Sequence, residues 1–197
     1  FLGQQHLLSL RCLIYIFSMS LRRKNDYWGV LKKLDLSETS DILFVSLKKQ
    51  KMYHQKEGKS VKTYVISSSL NPPSCKVDSY GTPWGLHEVC EVIGVDQPKG
   101  MVFKGRLPLN LCYWQCSEDM KQQNLITSRI LRLRGLEVGL NCGDGVDSYE
   151  RYIYIHGTNH ENKLGGPASS GCIQMANADV IKLADEIPPG THLFIYV

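Results

Sequence analysis

A mainly β fold is what this sequence predicts, and three observations carry it. Apolar runs of strand length, continuous or alternating, recur from residue 42 onward. Breaks rich in Gly, Pro, Asn and Asp separate them. Clear helical signals stand only near the two ends of the sequence. A length of 197 residues suits one well-buried domain plus a short extension. The composition, 43% hydrophobic and 21% charged, is that of a globular chain and argues against disorder.

In order, the first residue is Phe1, and Leu7 to Leu21 is mostly apolar but interrupted by Arg11, with Arg22-Arg23-Lys24 following it. That run is too short and too interrupted for a membrane-spanning helix, which needs about 20 apolar residues. A partial export signal, an appended amphipathic segment and untranslated sequence ahead of Met19 are the alternatives. Tyr27, Val30, Leu31 and Leu34 fall at helical spacing. The polar run Ser37 to Asp41 then sets the expected boundary between an N-terminal extension, residues 1–40, and the main domain, residues 41–197.

Ile42 to Leu47 and Val61 to Ile66, the latter entered through the turn Glu57-Gly58-Lys59, read as a hairpin. Asn71-Pro72-Pro73 breaks the chain, and Thr82 to His87 begins another extended segment around Pro83 and Gly85. Gly100 to Arg106 reads as a strand, and Ser117 to Gln123 as a surface helix or loop. In Ile130 to Arg134 leucines alternate with arginines, as in a half-buried strand. Asn141 to Ser148 is loop. Ile153 and Ile155 should face the core, leaving Tyr152 and Tyr154 on the other face. Asn177 suits an N-cap for a helix from Ala178 to about Glu186, and Leu193, Ile195 and Val197 alternate in a closing strand.

The modest net charge of +4 is spread along the chain. It gives little support to a nucleic-acid partner and suits weak attraction to anionic surfaces. Seven cysteines, Cys12, Cys75, Cys90, Cys112, Cys116, Cys142 and Cys172, leave at least one thiol unpaired, and no CxxC pair is present. Cys112 and Cys116, four apart, read first as inert buried thiols, with a disulfide or partial metal site as alternatives.

Chemistry concentrates between Arg151 and Met175. A strand delivers His156 to its end, and a loop with Gly165, Gly166 and Pro167 returns the chain to Cys172 in the turn Ser169-Ser170-Gly171-Cys172. A thiol becomes a strong nucleophile when an imidazole takes its proton, and a third group must fix the imidazole. The Gly157 carbonyl, or a side chain of Thr158 or Asn159, is placed to do so. Gly171 permits close backbone approach, so N–H groups around Gly171 and Cys172 could face a developing oxyanion.

The segment resembles the signature of the L,D-transpeptidase catalytic domain (YkuD-like) family, with its His-Gly-Thr strand end and Ser-His-Gly-Cys-Ile-Arg-Met turn. The likeness extends through the Ile42 to Ile66 hairpin, Thr82-Pro83-Trp84-Gly85 and Ser148 to Met175. It implies a β-sandwich or barrel with a short helix after a catalytic cysteine, and a catalytic domain over 41–197. Cys172 would be nucleophile, His156 base, and the Gly157 carbonyl would orient the ring. Gly171 and Ser170 would shape the oxyanion turn, and Tyr154, Ser169 and Gln174 would contact substrate.

By the same resemblance the partners are peptidoglycan stem peptides, met in the cell envelope by a domain without stable membrane insertion, expected as a monomer and without cofactor or metal. Ser170 stands where the family usually has His, and Gln174 where it usually has Arg. The loss of a charged planar fork at Gln174 bears on carboxylate recognition. An L,D-carboxypeptidase, or a catalytically weak peptidoglycan-binding module of the same fold, is the alternative.

Other candidates carry less. His156 and His160 are four apart, but the segment is strand and loop with no His-Glu-x-x-His pattern. His87 reads as a packing or surface histidine, and Arg151, Ser148 and Tyr154 as a groove rim or an ordinary strand edge.

Overall fold

The computed structural model describes residues 25–197; the apolar run from Leu7, the basic cluster after it and Cys12 lie outside the described residues. A helix α1 (Asp26–Leu34) precedes β1 (Asp41–Ser46), β2 (Lys51–Lys56), β3 (Lys59–Ser67), β4 (Gly85–Ile93), β5 (Met101–Lys104) and β6 (Leu107–Cys112). Then come α2 (Glu118–Gln122), β7 (Ile126–Gly135), β8 (Tyr154–Thr158), β9 (Ile173–Met175), α3 (Asn177–Glu186) and β10 (His192–Tyr196).

The sheet closes on itself. Strands run in the order β4, β10, β1, β2, β3, β9, β8, β7, and β7 pairs back onto β4, while the β5–β6 hairpin extends from β7. Closure leaves the ring no free edge. Two strand pairs are parallel, β1 with β10 and β8 with β9. Among the described residues no helix is long and apolar enough to cross a membrane.

The continuous apolar run of β1 has a physical cause: both its faces are covered. Leu43 and Val45 point into the main core with Ile155, Ile173, Leu183, Leu193 and Ile195. Ile42 and Phe44 point the other way and meet Tyr27 and Leu31 of α1, together with Leu86 and Phe194. The helix placed in the N-terminal extension thus roofs β1, β4 and β10.

Tyr27 is the centre of that roof. Its ring meets Phe44 edge-on at 5.3 Å and Phe194 at 5.9 Å, and its hydroxyl lies 2.9 Å from His192 Nδ1. Burial holds the phenol's pKa above its ordinary value, so the hydroxyl in this hydrogen bond stays protonated. Tyr27→Ala is expected to cost about 3–5 kcal/mol, the range for emptying a buried aromatic site. A urea midpoint lowered with an unchanged slope would show it; a midpoint like that of the unchanged protein would mean α1 is dispensable.

Three expectations are revised. The expected two-strand hairpin is a meander, because β2 intervenes between β1 and β3. Its sequence hides the pattern: only Met52 and His54 are buried, and His54 is held at 2.7 Å by Asp41. The arginine face of β7 is covered at Arg132 and solvated only at Arg134. Arg132 stacks 3.3 Å from the centre of the Tyr149 ring, and Arg129 donates to the Gln97 carbonyl at 2.7 Å. Asn177 is the first residue of α3 and not its cap, Ala176 taking that place. Its amide instead accepts from Thr127 and Ser128 and donates to the Thr158 carbonyl and Glu161, fastening α3 to β7 and to the end of β8.

Candidate active site

Register builds the site. In the parallel pair β8–β9, Ile155 lies beside Ile173, His156 beside Gln174 and Gly157 beside Met175. Side chains alternate across a strand, so Ile155, Ile173 and Met175 enter the core. Tyr154, His156, Cys172 and Gln174 therefore share the opposite face. His156, Cys172, Gln174, Ser169, Ser170 and Asn124 line one cleft of about 160 Å³, with Ile126 at its side. Cys172 and Tyr154 also pack with Met101, Phe103 and Ile130.

His156 is buried, and its Nδ1 lies 2.7 Å from the Gly157 carbonyl. A carbonyl only accepts, so Nδ1 carries the proton and Nε2 offers a lone pair. Gly157 has no room for a side chain: a Cβ there would stand 2.6 Å from both Asn177 Oδ1 and the Thr127 carbonyl. The close packing of α3 and β7 therefore requires glycine beside the histidine.

Burial pushes the His156 pKa down to about 4, against the pull of the Gly157 hydrogen bond. Burial pushes the Cys172 thiol up to about 11, while the Tyr154 backbone and the charge of Arg151 act downward. The thiol's hydrogen bond runs to the Tyr152 carbonyl at 3.5 Å. At neutral pH the pair thus rests as neutral thiol and neutral imidazole, not as a preformed ion pair.

The turn before Cys172 is held by its own hydroxyl. Ser169 Oγ donates to the Cys172 carbonyl at 2.5 Å and accepts from the Gly171 N–H at 3.2 Å, and Ser169 also bridges to Ser69. Gly171 has φ of +128°, a conformation that favours glycine. Ser170 is exposed at the mouth of the cleft. Tyr154 is buried, with its hydroxyl accepting from Arg106 Nη1 at 3.2 Å.

The remaining candidates lie elsewhere. His87 is fully buried, 2.9 Å from Ser148 Oγ through Nε2 and 3.1 Å from the Gly85 carbonyl through Nδ1. Ser148 is therefore a core residue, while Arg151 lines a neighbouring recess. His160 Nε2 faces the Gln123 carbonyl at 3.1 Å, and among the described residues no group of three or more His, Cys, Asp or Glu gathers as a metal site would. Cys90, Cys112, Cys116, Cys142 and Cys172 are free thiols. The sequence reading missed Asn124 and Ile126; extending the β7 pattern back from Ile130 is the signal that would have found Ile126.

Two buried histidines make a linkage prediction. Burial lowers both His87 and His156 from 6.5 to about 4, so the folded state keeps them neutral. Their contribution is present above about pH 6.5 and is lost as pH falls through the window from about 6.5 to 4, because the unfolded chain binds the protons first. The urea midpoint should drop across that window, with about two protons taken up at this pair on unfolding and His192, lowered by burial too, adding in the same direction; His87→Gln should remove about one of the pair's protons. A midpoint that stays level from pH 7 to 4.5 would contradict this.

The mainly β fold of this domain is shared with solved L,D-transpeptidase structures. The Ldtfm–avibactam carbamoyl enzyme matches with a TM-score of 0.51 and 17% identity, over 81% of this chain and 49% of that chain. L,D-transpeptidase 3 from Mycobacterium tuberculosis, in complex with a faropenem-derived adduct, matches with a TM-score of 0.50 and 12% identity, over 80% and 60%. At such identities the likeness is one of fold.

The chain belongs to the YkuD family: the model of the L,D-transpeptidase catalytic domain matches residues 40–195. Among curated relatives, "Putative L,D-transpeptidase YkuD" of Bacillus subtilis (strain 168) is 51% identical over 46 residues, 23% of this chain and 28% of that protein. "Putative L,D-transpeptidase YqjB" of the same organism is 49% identical over 45 residues, 23% of this chain and 26% of that protein. The aligned stretch thus spans under a third of these relatives' length.

Proposed function

We propose that this domain is a cysteine-dependent L,D-transpeptidase that acts on peptidoglycan stem peptides in the cell envelope. The observation that carries the reading is the shared face of His156 and Cys172, with the histidine's Nδ1 proton tied to the Gly157 carbonyl. As the thiol attacks the carbonyl of an L-configured diamino-acid residue, Nε2 of His156 takes its proton. The tetrahedral oxyanion faces backbone N–H groups of the turn around Gly171, whose missing side chain admits the substrate; Ser170 shapes that turn. Collapse breaks the peptide bond, the imidazolium gives its proton to the leaving D-amino acid, and a thioester remains on Cys172. An acceptor amine then attacks, loses its proton to His156 and restores the thiol.

Ser169, Gln174 and, behind them, Tyr154 are assigned to the substrate side of the cleft. Gln174, only 2% exposed and beside His156, favours a second reading. With no fixed charge there, carboxylate recognition weakens, and water replaces the acceptor in an L,D-carboxypeptidase, or binding outlasts chemistry in a weak wall-binding module.

Incubation with a stem tetrapeptide, with and without an amine acceptor, separates these by product mass. Loss of the terminal D-amino acid with gain of the acceptor is the expected result. Loss without gain means hydrolysis, and unchanged peptide retained by the folded protein means a binding module.

A further inference from the structure

Arg151 takes no part in the chemistry above, yet its side chain is tied into one segment at three points. Nη1 donates to the Ser74 carbonyl at 3.0 Å, and Nη2 donates to the Gly81 carbonyl at 2.8 Å and to Ser79 Oγ at 3.3 Å. Residues 74–81 form a strap tightly folded on itself: a Cβ on Gly81 would stand 2.4 Å from the Pro72 carbonyl and 2.7 Å from the Ser74 nitrogen. The strap lies against the Cys172 turn. The Tyr80 carbonyl accepts from Ser69 Oγ at 2.5 Å, Ser69 bridges to Ser169, and the Tyr80 and Gly81 carbonyls stand 3.6 Å from where a side chain on Gly171 would begin.

Beside this contact lies a recess of about 240 Å³ lined by Asp78, Tyr80, Glu150, Arg151, Tyr152 and Ser170. Ser170 belongs both to this recess and to the cleft of His156 and Cys172. A guanidinium suits such a role because its planar fork holds several acceptors in fixed geometry, which a lysine does not.

We propose that Arg151 is a positioning residue, pinning the 74–81 strap against the Ser169–Cys172 turn and so setting the wall past which substrate reaches the thiol. The inference rests on the reading of Cys172 as the reacting group. A second effect follows from its place: Arg151 is the cation that lowers the Cys172 thiol against the upward push of burial. The other charged side chains on the recess are Asp78 and Glu150, and the titratable neighbour in the cleft is His156.

The strap contains its own reporter, since Cys75 is 3% exposed. Arg151→Ala should raise iodoacetamide labelling of Cys75, read by peptide mass, at least about tenfold through local opening. It should also lower kcat/KM for Cys172 acylation by a carbapenem about tenfold or more, as misplacement of a site wall does, and move the pH profile of Cys172 alkylation upward. Arg151→Lys restores the charge without the fork, so the alkylation profile should return while Cys75 stays labelled. A purely structural arginine would lower stability and leave that profile unmoved.

Ser79→Ala removes one acceptor with Arg151 in place and should raise Cys75 labelling about threefold; it decides the matter should Arg151→Ala fail to fold. Cys75 protected in these variants, with Cys172 acylation within about twofold of the unchanged protein, overturns the proposal. A parent protein that takes no carbapenem overturns the transpeptidase reading instead, and the Cys75 labelling still decides the strap.

Discussion

Cys172→Ala is expected to abolish the covalent adduct with a carbapenem and to lower transfer by about ten-thousandfold or more, the scale of removing a nucleophile. Among the described thiols Cys172 is the one that lines the cleft of His156, so the others lack the base that would take their proton. A mass shift mapped to the peptide containing Cys172, and absent from Cys172→Ala, is the expected record. An adduct persisting on another cysteine of the folded variant would sink the assignment.

His156→Ala should lower the rate at least about a hundredfold, the usual scale for a general base. Its pH profile carries more information than the loss itself. With His156 near 4 and the thiol near 11, both partners are neutral between those limits, so kcat/KM should be nearly level from about pH 6 to 9. Without the imidazole the reaction must wait for free thiolate, and the residual rate of His156→Ala should climb about tenfold per pH unit toward 11. A level profile in the variant, or an equal loss in His160→Ala together with stoichiometric zinc, would remove His156 from the role of base.

Much of the frame was legible because local pattern and burial agree there. The uninterrupted run of β1 follows from apolar cover on both faces, and Ile153 and Ile155 enter the core as their alternation requires. His156 and Cys172 were legible because residue type and turn chemistry converge on them. What escaped depends on tertiary contact. β2 hides its inward face in Met52 and a histidine whose partner Asp41 lies on another strand. Arg132 looks solvated until Tyr149 closes over it. Asn177 had the composition of a cap, but four partners from β7, β8 and the turn after it claimed its amide. The strap at 74–81 has no periodicity to announce it, and only the reach of Arg151 shows where it docks.

The position of β10 in the ring has a kinetic meaning. It is the last strand in the described order, yet it sits between β1 and β4, pairing with residues 42–46 on one side and 85–88 on the other. On a ribosome the ring cannot be joined until residues 192–196 have left the exit tunnel, so β1 and β4 lack their shared partner until β10 emerges. Such long-range pairing folds slowly. The frame around the parallel strands that carry His156 and Cys172 therefore closes only once β10 is in place, and any sheet formed before then has unpaired edges, which favour aggregation.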